Sequence, residues 1–318
     1  MNVKTRENGG KKRRINYRKR KQMLFFASLV IIPILQFCIC YIYVNISSFI
    51  LAFQKYAPKQ GSLGFDITFA GLSNFKEAIG LISERMYMFK NSLLLFFWTT
   101  IVGLTLALLF SYYIYKKYPM SELFRVVLFI PKIMSAVVFC LLYRHIVNGV
   151  YPYIMQTVFH VTVQPLLDNE ATRLGGMLFF SVWVSFGVTV LMFSGAMSGI
   201  DEAIVESAQL DGTNAIQEFI HITVPMIWPT FVSFLVINVA GLFTDQMHLH
   251  TMFGTGESKL ATFGYYLFVE SKRGNLLELG EGKTFSVLSS MGLMMTAVML
   301  PITVGLRKLL RKFGPSVD

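Results

Sequence analysis

Lys132, Trp183 and Asn238 stand out because each sets a charged, aromatic or amide side chain inside an apolar run. An ionisable group in hydrocarbon is costly, so it marks a place that faces protein or water. Lys132 lies seven residues past Arg125, about 10 Å deeper along a helix. It is placed either to pair with a carboxylate of another subunit or to attract an anionic ligand. Arg125 and Arg144, near the two ends of the same run, are placed to snorkel to the interfaces. Trp183 and Asn238 suit a polar path through the chain, and suit helix packing equally well.

The remaining chemistry-bearing residues form no catalytic set. Gly254-Thr-Gly256-Glu-Ser-Lys259 has the wrong spacing for a phosphate-binding loop. There is no zinc-type His-Glu-x-x-His and no Gly-x-Ser-x-Gly elbow. His248 and His250 make a two-ligand cluster without further ligands, as do Cys38 and Cys40, and no metal is expected. Cys38, Cys40 and Cys140 read as ordinary apolar residues of spanning segments. The four Met residues at 291, 294, 295 and 299 read as packing.

The elements that must position these residues follow from composition. Of the 318 residues, 54% are hydrophobic and 15% are charged, against about 25% charged in a soluble domain. Mean hydropathy is +0.54. A membrane-crossing helix needs about 20 apolar residues, and six stretches qualify: 23–46, 92–114, 123–146, 175–200, 226–243 and 285–306. Unsatisfied backbone groups are not tolerated in lipid, so these spans are expected to be helices. The first is too long for a cleaved signal and lacks a small-x-small cleavage site.

Charge sets the orientation. Residues 1–23 hold ten Lys or Arg, including Lys11-Lys12-Arg13-Arg14 and Arg18-Lys19-Arg20-Lys21, against the single acid Glu7. The tail carries Arg307, Lys308, Arg311 and Lys312. Both ends are therefore expected in the cytoplasm, which demands an even number of spans and agrees with six. Beside a membrane span the basic run is read as contact with anionic lipid headgroups rather than nucleic acid. Segments 47–91, 147–174 and 244–284 then lie outside, and 115–122 and 201–225 inside.

Segment 200–225 is too organised for a bland connection. Asp201 is placed to cap one short helix, with Ile200 and Val205 as a hydrophobic staple. Gly212 is the expected stop, because glycine accepts the left-handed conformation. Thr213 or Asn214 begins a second helix, and Asn214 with Gln217 has capping-box spacing. Helical periodicity puts Ile216, Phe219, Ile220 and Thr223 on one face. Pro225 and Pro229 fall where the fifth span begins, in first-turn positions that tolerate proline.

Glu206-Ser207-Ala208-Gln-Leu-Asp211-Gly212, followed by Phe219-x-x-Ile222-x-x-Pro225-x-x-x-Pro229, resembles the EAA loop of ABC importer permeases. The Asp-Gly pair and trailing prolines look like the carbohydrate-uptake branch, the maltose and glycerol-phosphate type. Leu123-Phe-Arg125 to Pro131 looks like that family's third-span entry. Gly71-Leu-Ser-Asn74-Phe looks like its first outer loop, as in the maltose-F-like member of the permease pair. Ser207, Thr213 and Val224 are small or conservative departures, and Lys132 replaces the aromatic or His common after that proline.

The resemblance implies an all-α membrane protein of six transmembrane helices, with the type I ABC importer permease fold and both termini cytoplasmic. It implies a basic cytoplasmic segment 1–22, a permease domain 23–306 with coupling loop 200–225, and a basic tail 307–318. It further implies a non-catalytic, multi-pass subunit of a bacterial-type plasma membrane. Expected partners are a second homologous permease, two ATPase subunits that bind ATP and Mg, an extracellular solute-binding protein, and membrane lipid. The helix Glu206 to Asp211 would seat in a groove of the ATPase, with Glu206 meeting a basic residue, Ala208 allowing close approach and Gly212 shaping the turn. Apart from the resemblance, the polar residues within the spans make Lys132, Trp183 and Asn238 the candidates for the substrate pathway. An ion-coupled secondary transporter is the alternative, but internal repeats are not seen.

Overall fold

The computed structural model describes residues 8–58, 65–256, 259–276 and 285–315. Glu7, and Glu257 and Ser258 of the Gly254–Lys259 stretch, lie outside the described residues, as do the side chains of Lys11, Lys12, Arg13, Arg14 and Arg18. Among the described residues five helical runs are long and apolar enough to cross a membrane: Lys19–Ala52, Met86–Tyr115, Ala136–Phe159, Glu170–Met197 and Phe285–Lys312. A sixth arises if Ala215–Met226 and Trp228–Gly241, which meet at 71°, count as one span.

The third span is not the single helix 123–146 expected from its apolar run. A helix Ser121–Ile133 ends at Met134, which is extended (ψ 150°), and a new helix starts at Ala136 after an extended Ser135. Pro131 lies in the last turn of the first piece. Its missing N–H and its ring against the preceding turn weaken the helix there. The two pieces nonetheless follow one path along Glu170–Met197. Leu128 meets Gly187, the Phe139 ring stacks on Phe180 at 5.5 Å, and the Tyr143 hydroxyl donates to the Gly176 carbonyl at 2.7 Å. Contact positions rise on one side as they fall on the other, so the halves form one broken antiparallel span.

The fifth span also departs from 226–243. It runs Trp228–Gly241, 14 residues, or about 21 Å of helix, and enters through the bend at Ile227 (φ −93°, ψ 8°). Pro225 and Pro229 occupy first-turn positions of the helices on either side of that bend.

Contacts between spans sort into two layers, which fixes the relative directions of the helices. At one end Asn74, buried, donates to the carbonyls of Ala52 and Gln54, both at 2.9 Å, and Ser290 also donates to Ala52. Asn91 donates to the carbonyls of Lys259 and Ala261, and Arg144 to that of Met252. The antiparallel hairpin Gln54–Pro58 with Phe65–Phe69 lies at this end, the outer one by the charge argument. At the other end Tyr112 meets Ala215, and Trp228 donates to Leu310 at 3.1 Å.

Each layer has its own apolar core. The outer one is built around Phe139, Tyr143, Phe180, Met252 and Phe263, and the inner one around Leu104, Phe186, Phe193, Val205 and Ile227. The first span is different: none of its apolar window is buried within the chain, and it packs through Val44–Ala52 on Phe285–Phe313.

Candidate functional site

The loop between the fourth and fifth spans folds as its local signals require. The Asp201 carboxylate accepts from the Ala203 N–H at 3.0 Å and caps Glu202–Leu210. Ile200 and Val205 are both buried in the inner core. Gly212 adopts φ +82° just past the helix end. There its N–H reaches the Gln209 carbonyl and the Thr213 N–H reaches that of Ala208, the paired bonds of a Schellman stop. Asn214 and Gln217 form the reciprocal capping box, at 2.9 and 3.0 Å.

The second helix is not one amphipathic face. After Ala215–Glu218 it widens into a π-helical turn, Phe219–Thr223, a distortion next to Pro225, whose missing N–H deprives a carbonyl of the preceding turn of its helical donor. Thr223 is fully buried and Phe219 packs 4.9 Å from the Tyr112 ring. Ile216 and Ile220 are 71% and 53% exposed on another side. Two i, i+4 stripes therefore point apart, and a pattern of apolar letters alone cannot distinguish a stripe facing the bundle from one facing away.

The exposed stripe belongs to a larger surface. Glu206, Ser207 and Asp211 are exposed, and Leu210 is 89% exposed at the tip. Ala208 is half-buried, its carbonyl engaged by Thr213.

Beneath this surface lies a pair that sequence reasoning missed. Glu218 is buried, and its Oε1 lies 2.5 Å from Nζ of Lys116 at the inner end of the second span, off the hydrogen-bonding direction. Gln209 of the first loop helix donates to the other carboxylate oxygen at 3.5 Å. The Tyr112 hydroxyl donates to the Ala215 carbonyl at 3.0 Å. A carboxylate beside Phe219 in an apolar stretch was a visible signal, but its partner sits far along the chain.

Within the bundle, Lys132 and Asn238 converge on one cavity of about 430 Å³, sharing it with Ser185, Thr189 and His248 and with Phe139, Phe180 and Phe234 in its wall. Its size falls in the range of small-molecule sites. Lys132 is exposed to it, and among the described residues no carboxylate lines it. Asn238 also borders a second cavity of about 320 Å³ with Ser92, Thr99 and Asp245. It reaches Thr100 at 3.4 Å in the π-helical stretch Trp98–Gly103 of the second span.

Trp183 is not brought into this cavity. It lines an apolar groove with Trp98, Phe110 and Phe179, and meets the ring of Phe139 in the polar cavity's wall edge-on at 5.0 Å. His248 and His250 part company as well: the first packs on Phe180 and the second on Phe268. Burial holds the His248 imidazole below its usual pKa, with Asp245 opposing and the Lys132 charge assisting.

Comparison with known proteins places this geometry. Residues 79–318 match the model of the family described as "Binding-protein-dependent transport system inner membrane component". The arabinooligosaccharides transport system permease protein AraP of Bacillus subtilis is 27% identical, over 85% of this chain and 84% of its own length. The polygalacturonan/rhamnogalacturonan transport system permease protein YteP of the same species is 26% identical, over 93% and 92%. A chain of a bacterial ABC transporter that imports the acidic polysaccharide alginate has the same fold, with TM-score 0.73 over 93% of this chain and 98% of that one, at 19% identity. The fold is thus that of a type I importer permease, and the chain belongs to the binding-protein-dependent transport system inner membrane component family.

Proposed function

We propose that this chain is one of two membrane subunits of an ATP-driven importer that carries a sugar or oligosaccharide into the cytoplasm. The observation that carries the reading is the inner loop: it is capped at both helices, locked to the bundle from behind, and turns Glu206, Leu210 and Ile216 outward. A loop that served only to connect would have no reason to expose Leu210 at its tip, whereas an apolar anchor ringed by polar groups is what a docking face requires. Glu206 meets a basic group of the ATPase, Ala208 permits close approach, and Gly212 sets the turn. Ser207, Asp211, Phe219 and Pro225 shape and seat the same element.

The chain itself is non-catalytic in this reading. ATP and Mg are held by two partner ATPase subunits, a second homologous permease completes the pathway, and an external solute-binding protein delivers the sugar. The relatives named for transport of arabinooligosaccharides and of polygalacturonan/rhamnogalacturonan support the substrate class. The cavity of Lys132, Asn238, Ser185, Thr189 and His248 is this chain's share of the pathway, with amide and hydroxyl groups for sugar hydroxyls and aromatic rings in its wall. Trp183 supports its wall from behind.

Affinity purification of the tagged chain in mild detergent, with mass spectrometry of its companions, tests this. Recovery of a second six-span permease and an ATPase, with the ATPase lost after Gly212→Pro, is the expected result. Uptake that follows an ion gradient and ignores ATP would replace it with ion-coupled secondary transport.

A further inference from the structure

The inner loop reaches the cavity by two routes. One is the backbone, which passes through the 71° bend at Ile227 into the fifth span. The other is the contact with the second span, where Tyr112 and Lys116, four residues apart, share one helix face. Three contacts meet there: Lys116 on Glu218, the Tyr112 hydroxyl on Ala215, and the Tyr112 ring on Phe219. Gln209 joins the first loop helix to the same carboxylate. From this joint the second span runs unbroken to its π-helical stretch Trp98–Gly103, where Thr100 meets Asn238 at the cavity wall.

We infer that the Lys116–Glu218 pair is a positioning joint that transmits movement of the inner loop to the second span and so to the cavity. The inference rests on the importer reading above. A buried ion pair is a weak source of net stability, and holding one registry between two elements is its better-attested use. Here that registry is between a loop that turns its other face outward and a span whose distorted middle borders the pathway. A sharp backbone bend transmits torque poorly, while a side-chain lock at two successive turns moves both helices together.

The test uses the complete transporter in lipid nanodiscs, with Ser185→Cys as a cavity reporter in a background where Cys38, Cys40 and Cys140 are serine. Labelling by a membrane-impermeant maleimide is followed with and without vanadate trapping, beside ATP hydrolysis. With Lys116 and Glu218 intact, trapping changes the labelling rate by about tenfold, the size of a typical intersite coupling. Lys116→Met and Glu218→Gln keep the ATPase bound and hydrolysing but lose that change. The reversed pair, Lys116→Glu with Glu218→Lys, regains it, which a merely structural role would not require. A vanadate-dependent change that survives both single substitutions overturns the inference. So does parallel loss of ATPase binding and hydrolysis that the reversed pair fails to restore. A wild-type chain that holds no ATPase overturns the importer reading itself, and that is seen before any substitution is made.

Discussion

Gly187 presses its backbone against Leu128 so closely that a Cβ at position 187 would overlap the Leu128 carbonyl. The contact lets the inner half of the broken third span lie flush on the fourth, and so sets where Lys132 stands relative to Ser185 and Thr189. Gly187→Ala should therefore lower the thermal stability of the detergent-solubilised protein. Overpacking of this kind costs about 1–3 kcal/mol. Melting curves unchanged from wild type would show that the helices part without strain.

Gly212 is required for a different reason. Its φ of +82° closes the first loop helix in open space, so conformation rather than crowding limits what can replace it. Gly212→Asn should dock the ATPase nearly as well as wild type, since Asn tolerates the left-handed region. Gly212→Pro should abolish docking and uptake while membrane insertion stays intact. Equal recovery of ATPase with all three would remove the turn from the mechanism.

Glu206 is exposed and unpaired by any basic group among the described residues. Reversal of its charge should abolish uptake without loss of the folded permease, because a like-charge contact at a docking face costs several kcal/mol, of order a hundredfold or more in affinity. Normal transport by Glu206→Lys would place the ATPase contact elsewhere.

Lys132 separates two classes of sugar. With no carboxylate around its cavity among the described residues, a uronate-bearing oligosaccharide would find its countercharge there, and Lys132→Ala should slow uptake of such a substrate by about tenfold. Neutral oligosaccharides should pass either form alike. Uptake of an acidic oligosaccharide at the wild-type rate by Lys132→Ala would assign the lysine to a carboxylate of the partner permease instead.

His248 gives a pH dependence of defined sign. Its folded-state pKa is depressed by burial, so below the unfolded value of about 6.5 the unfolded chain binds more protons than the folded one. Its contribution is intact above that value and is lost as pH falls through the folded pKa. The melting temperature should fall between about pH 7.5 and 5.5, and His248→Gln should flatten that slope. An identical slope in both proteins would assign the acid sensitivity to other groups.

What could be read along the chain was what local chemistry settles. Apolar length marked the spans, the basic ends gave their expected orientation, and the spacing of Asp201, Gly212, Asn214 and Gln217 determined the caps and stop of the inner loop. Each of these depends on residues within a few positions of one another, or on free energies of transfer that need no partner. Pro131 fell inside an expected single span, and Pro225 and Pro229 where the fifth was expected to begin. Whether that meant a straight span, a break at Met134 and Ser135, or a 71° bend depended on what each segment packs against.

The tertiary structure decided which polar residues meet. Lys132 and Asn238, on different spans, share a cavity that Trp183 does not enter, because Trp183 points to the other side of its helix. Ile216 and Phe219 look alike in a hydrophobic pattern, yet one is exposed and the other packs on Tyr112. Lys116 and Glu218 are unremarkable charges until the second span and the inner loop come together. Pairing across such distances is set by the packing of whole helices, a sum over many small contacts that no short window of sequence contains.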